Sequence, residues 1–162
     1  MKIQYIYSLF CLIVCTLVIS FSGNLFAGEK KDMKGWGIDD PYNQFYNAGE
    51  VEKLKVVVLE VKEVVPLDGM SPGVALIVQE DGEDSLLVHL CPVWYKTAGR
   101  IGIKKGDKIK LRGCFAEIND EEVFMAAKLK KKGKSFKVRL SSDGTPFWTL
   151  SPAQLQKELL DI

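Results

Sequence analysis

Apolar and polar residues alternate along most of this chain with the period of two that marks strands. Within residues 51–65 the alternation changes phase. Leu54, Val56 and Val58 share one parity, and Val57, Leu59 and Val61 the other. A phase change inside one long run predicts a strand with a bulge that serves two surfaces, and Pro66 ends it. Residues 73–79 and 85–90 predict two further strands. Between them lies Glu80-Asp81-Gly82-Glu83-Asp84, an Asp-Gly hairpin signal. Over residues 107–118, Ile109, Leu111 and Phe115 take one face, and Lys108, Lys110 and Arg112 the other. Asn119-Asp120 turns the chain into a strand over 122–130. Phe136, Val138 and Leu140 mark a last short strand before Asp143-Gly144.

Pro92 followed by Val93-Trp94-Tyr95-Lys96-Thr97-Ala98 predicts a short helix closed by Gly99. Trp94, in an apolar turn behind Pro92, is expected to be buried. Ser151-Pro152-Ala153-Gln154 is a capping box, with Leu150 and Leu155 spaced as its hydrophobic staple. A C-terminal helix within 149–162 follows, with Leu155, Leu159 and Leu160 to dock. Residues 28–49 show no periodicity, but Trp36, Tyr42, Phe45 and Tyr46 predict an aromatic lead-in that packs onto something. Five to six strands with a helix between the third and fourth predict an all-β fold. The architecture expected over 50–148 is a small closed OB-like barrel, because closure removes exposed strand edges. An open sandwich or SH3-like barrel is the rival, and the position of the helix favours the OB type.

Composition fits one globular domain: 162 residues, 47% apolar and 27% charged. The net charge of +1 gives no bulk attraction to nucleic acid. Lys2, the apolar run over 9–21 and Ala27 have the order of a secretory signal peptide over 1–27. The run is too short for a membrane span, so none is expected after cleavage, and the protein is expected to be periplasmic or secreted. Cleavage would remove Cys11 and Cys15 and leave Cys91 and Cys114 where disulfides persist.

Five segments occur in a distinctive order: Tyr42-Asn43-Gln44-Phe45-Tyr46, Gly69-Met70-Ser71-Pro72-Gly73-Val74, Val88-His89-Leu90-Cys91-Pro92-Val93-Trp94-Tyr95, Lys105-Gly106-Asp107-Lys108-Ile109 and Asp143-Gly144-Thr145-Pro146-Phe147-Trp148. Over residues 36–148 the chain resembles small exported bacterial proteins of the MamS/MamX magnetosome type. The resemblance implies an envelope location and a β-barrel, and it hands over no catalytic residue.

Candidate chemistry is sparse. His89 is the only histidine, so no nucleophile–base–acid set forms without it, and the chain reads as non-enzymatic with no cofactor. His89 and Cys91, two apart on a strand, are expected to share a face, which leaves a soft-metal or redox site as an alternative. Cys91 and Cys114 are the candidate disulfide, with free buried thiols as the other reading. Trp94, Tyr95, His89 and Trp148 are candidate binding residues, although tryptophans also close barrel ends. Lys130, Lys131, Lys132 and Lys134 form a basic patch that reads either as a solvated hairpin or as the seat of an anionic partner. The leading expectation is a non-catalytic binding or adaptor module of the cell envelope. Its expected partner is another envelope protein or an anionic ligand, not nucleic acid.

Overall fold

Six strands occupy the runs marked by alternation: β1 (Glu52–Val64), β2 (Gly73–Glu80), β3 (Ser85–Pro92), β4 (Lys108–Ile118), β5 (Glu121–Lys131) and β6 (Lys134–Lys137). The computed structural model describes residues 32–82, 84–140 and 142–160. The expected signal peptide, with Cys11 and Cys15, lies outside the described residues. The sheet order is β3-β2-β1-β4-β5-β6, and an additional parallel pairing of β3 with β5 closes the first five strands into a ring. The fold is therefore an all-β, OB-like closed barrel. No helix among the described residues is long and apolar enough to cross a membrane.

The phase change in β1 is a bulge. Val58 faces Val78 and Glu60 faces Ile77, so Leu59 is the extra residue. Leu54, Val56 and Val58 are buried before it, and Val61 packs on the core after it. One strand thus lines two surfaces, as its parity swap predicts.

The aromatic lead-in belongs to the core. Trp36 is fully buried, Tyr42 nearly so, and Pro41–Gln44 form a one-turn helix, α1. The Trp36 indole donates to the Ser71 carbonyl at 2.9 Å and meets Tyr42 and Trp148 edge-on, at 4.8 and 5.8 Å between centroids. Gly73 makes room for it, because a Cβ there would stand 2.6 Å from the indole ring.

The helix between β3 and β4 is displaced from its expected place. Pro92 ends β3 opposite Gly73 instead of starting a helix. Its carbonyl accepts the amides of Tyr95 and Lys96 in a turn. The helix, α2, is Ala98–Ile101, closed by Gly102 at φ 78° and not by Gly99. Trp94 therefore rides on the turn and is 42% exposed, contrary to its expected burial.

At the C-terminus the capping box forms. The Ser151 amide donates to Gln154 Oε1 at 2.9 Å, opening α3 (Pro152–Leu160). Lys137 holds this helix through the Glu158 carbonyl and carboxylate, and Leu155 is half-buried. Leu160, two positions beyond Glu158 and so on the other side of the helix, is 79% exposed and does not dock. The last strand is also shorter than expected. The amides of Val138 and Arg139 both turn to the Ala127 carbonyl, at 2.7 and 3.0 Å, which ends the β5–β6 ladder at Lys137.

Truncating Trp36 to Ala is expected to destabilise the domain by roughly 3–5 kcal/mol, the scale for a buried large aromatic. Trp94→Ala is expected to cost under about 1 kcal/mol. Denaturant unfolding midpoints of the two variants check this contrast.

Candidate functional site

The structure separates the two residues of the alternative metal or redox site. On β2, Val74 faces Cys91 and its neighbour Ala75 faces His89, so Leu90 is an extra residue in β3. The bulge turns His89 and Cys91 to opposite faces. The expected disulfide is not formed either, and Cys91 and Cys114 are both free and buried. The reason is topological. β5 runs between β3 and β4, with Met125 paired to His89 on one side and to Cys114 on the other. Two strand spacings put β3 and β4 roughly 9–10 Å apart, beyond the reach of about 7 Å that a disulfide allows.

Neither thiol is poised for reaction. Cys91 Sγ lies 3.6 Å from the Lys96 carbonyl, and burial pushes the thiol up to about 12 against the nearby Lys96 ammonium. Cys114 Sγ accepts the Asn47 amide at 3.3 Å, and burial raises its pKa as well. Both remain thiols at neutral pH, whereas nucleophiles and metal ligands are thiolates.

His89 is 4% exposed, and its Nδ1 lies 3.3 Å from the Tyr42 hydroxyl. Burial lowers its pKa to about 4, with Lys62 and Arg139 pushing in the same direction. The imidazole is therefore neutral. The rung His89–Met125–Cys114 lines up nitrogen and sulfur donors, but the Arg139 guanidinium beside it opposes any second cation. Among the described residues no group of three or more His, Cys, Asp or Glu is placed to hold a metal ion.

Arg139 itself gives no signal in the sequence. It is 3% exposed, and among the described residues it has no carboxylate partner. Nη1 donates to Asn43 Oδ1 at 2.6 Å and to the Gly144 carbonyl at 3.3 Å. The guanidinium faces the rings of Tyr46, Trp148 and Tyr42 at 5.0, 5.5 and 5.9 Å, and these quadrupoles replace part of its hydration. Burial holds its pKa below the usual guanidinium value and pushes Tyr42 up to about 12. This cluster is a structural clasp on the lead-in.

The candidate aromatic residues do not form one surface. Trp148 is buried and donates to the Trp36 carbonyl at 2.7 Å. Tyr95 is half-buried, 5.7 Å from Trp148. Trp94 is exposed on the turn after β3, with its indole donating to Ser71 Oγ at 3.2 Å.

Charge is gathered elsewhere, on the outer face of β1, β4, β5 and β6. Lys53 faces Arg112, Arg112 faces Lys128, and Lys128 faces Lys137. In the next row Lys55 faces Lys110, and Lys110 faces Lys130. Directly opposed residues stand about 4.5–5.5 Å apart, and like charges so placed destabilise a sheet. Among the described residues, the one ion pair these cations make is Lys137 with Glu158, at 3.3 Å.

The expected patch of Lys130, Lys131, Lys132 and Lys134 is divided by the strand pleat. Lys130 and Lys132 serve the cationic face. Lys131 turns away and joins Asp107 and the Gly102 carbonyl, holding the Asp107 carboxyl below its usual range. Lys134 pairs with Lys131 across the hairpin. The alternations Lys53-x-Lys55, Lys108-x-Lys110-x-Arg112 and Lys128-x-Lys130 are the signal that could have found the face.

Comparison with known proteins agrees with this architecture. The model of the MamS/MamX magnetosome protein family matches residues 50–136, more than half of the chain, and the chain belongs to that family. No curated protein and no solved structure matches it.

Two solution properties follow from the geometry. A histidine held neutral by burial lowers stability once the unfolded chain takes up the proton that the native state refuses. Stability is therefore complete above the ordinary pKa of 6.5 and falls as pH drops toward 4. The loss attributable to His89 is about 3 kcal/mol, and His89→Asn should flatten that part of the acid limb in denaturant midpoints measured against pH. Thiol labelling of denatured, unreduced protein should modify both Cys91 and Cys114, and labelling of the native protein should be slow.

Proposed function

We propose that this MamS/MamX-family chain is an exported, non-catalytic binding module of the bacterial cell envelope, holding an anionic partner against the cationic face of its barrel. The two rows of opposed cations carry the reading. The sequence as a whole is almost charge-balanced, at +1, so the face reflects placement and not an excess of basic residues. Each opposed pair opposes folding slightly, and an anion lying across the rows would remove that repulsion.

The alternative of a metal or redox centre at His89 and Cys91 loses its basis with the bulge at Leu90. Catalysis finds little support in a neutral, buried histidine tied to Tyr42 and in two protonated thiols. Nucleic acid is disfavoured because no candidate aromatic lies within the rows to stack on bases. Export rests on the signal-like order of residues 1–27.

Arg112→Gln/Lys128→Gln tests the reading, since both residues lie mid-row and outside the core. Wild-type protein should sediment with envelope fractions at low ionic strength and be released by salt. The double variant should bind roughly tenfold or more weakly, at about 1 kcal/mol for each charge near an anionic surface, while unfolding at the same or higher denaturant concentration. Equal retention of variant and wild type would overturn the proposal.

A further inference from the structure

We infer that a cavity at the hairpin end of the cationic face is a binding site for a compact, multiply charged anion of the phosphate class, an assignment that rests on the reading of that face as a binding surface. The cavity measures about 440 Å³. Lys55, Lys108, Lys110, Lys130 and Lys132 line it, with Val57 among the apolar lining and Asp81 as its one carboxylate. Five ammonium groups against one carboxylate leave the lining strongly positive.

The backbone brings these lysines together at a cost to folding. Lys55, Lys110 and Lys130 form one row of directly opposed residues. Lys108 stands opposite Val57, two positions from Lys110 and so on the same face. Lys132 arrives by a different route. It occupies the two-residue turn between β5 and β6 at φ 47°, followed by Gly133 at φ 84°. A hairpin turn with both central residues at positive φ favours Asn or Asp first, and the β4–β5 turn obeys this with Asn119 and Asp120, at 54° and 61°. Lysine in the left-handed region is strained, and the turn nonetheless presents Lys132 to the cavity.

The side chains specify the ligand. Every cation in the lining is lysine, a compact point charge with three rotatable donors and no planar fork to impose a shape on its ligand. Such a set selects for charge density. A phosphoryl group offers acceptor oxygens in three directions and close to two charges at neutral pH. All five lysines are exposed, so the attraction is the sum of several solvated charges and is sensitive to salt. The phosphoryl group could be free or carried by a lipid headgroup, and the chemistry of recognition is the same.

Titration of the full chain with pyrophosphate, followed by calorimetry, tests the site. Binding should weaken at least tenfold in Lys110→Gln/Lys130→Gln and several-fold in Lys132→Asn, and should be nearly unchanged in Lys157→Gln, which removes the same charge from an exposed position on α3. Lys132→Asn should also raise the unfolding midpoint, because Asn suits the turn. Loss of affinity alongside gained stability would rule out misfolding as the cause. Vesicles of phosphatidylcholine with phosphatidic acid identify the source: binding that pyrophosphate competes away supports a lipid-borne phosphoryl group, and pyrophosphate binding without vesicle binding supports a free one. Absence of pyrophosphate binding, or equal affinity in Lys110→Gln/Lys130→Gln, would overturn the site. If that happened while Arg112→Gln/Lys128→Gln still lost envelope retention, the cavity alone would be refuted. Cavity binding with unchanged retention in Arg112→Gln/Lys128→Gln would support the site and refute the wider face.

Discussion

Strand β5 has two edges and three partners, and the barrel depends on how it divides them. One edge carries β4 along nearly its whole length. The other is shared, with β3 on residues 123–125 and β6 on residues 128–131. Ala127 marks the changeover. It is the extra residue opposite the Arg112–Gly113 step, and its carbonyl accepts the amides of both Val138 and Arg139. Gly113 is required just there, since a Cβ would press on the Met125 carbonyl oxygen and stand 2.8 Å from the Phe124 ring. On the other edge the short parallel pairing with β3 closes the ring, and without it two sheet edges would lie open.

The changeover also places Arg139. Two residues beyond β6, it is drawn inward by the Ala127 carbonyl and enters the space between the lead-in and the C-terminal loop. A buried guanidinium without a carboxylate is costly. Here Asn43 Oδ1 and the Gly144 carbonyl satisfy Nη1, while Nε and Nη2 are buried without a hydrogen-bond acceptor and have only the three aromatic rings around the guanidinium in place of water. Departure of the lead-in would cost Arg139 its Asn43 hydrogen bond and the Tyr42 and Tyr46 rings, and the same cation helps keep His89 neutral. Residues that look like a candidate active site, a lone histidine, a buried tyrosine and two cysteines, are held in their unreactive protonation states by the packing that closes the barrel.

The strand pattern was legible where an irregularity left a mark on polarity. In β1 the bulge at Leu59 shifts the apolar parity, so it can be read from the residues alone. In β3 the same kind of bulge leaves no mark. Val88, His89, Leu90 and Cys91 are all buried, and a run without exposed positions does not reveal an extra residue. Sharing of a face by His89 and Cys91 was a fair inference from spacing, and Leu90 defeats it. The disulfide failed for a related reason, because counting cysteines says nothing about a strand lying between them. Trp94 was misplaced because Pro92 serves as a strand end, which carries the next turn outward. The Ser151 capping box was fully readable, since its partners lie three residues apart and need no tertiary information.

The cationic face shows the same boundary from the other side. Alternation of lysine with apolar residues in β1, β4 and β5 is visible in the sequence, and each strand taken singly reads as an ordinary solvated surface. Only the register turns three solvated faces into rows. Moving β4 by one residue against β1 would set Lys110 opposite an apolar residue and dissolve the row. The core fixes that register, because Leu54, Val56, Ile109 and Leu111 are buried in the same pairing that aligns Lys53 with Arg112 and Lys55 with Lys110. Burial of the inner face thus dictates repulsion on the outer one. The side chains are mostly exposed, and the high dielectric of water holds each repulsion to about 1 kcal/mol or less, so the barrel tolerates it. An approaching anion nevertheless meets a concentrated positive field on a protein whose total charge is close to zero.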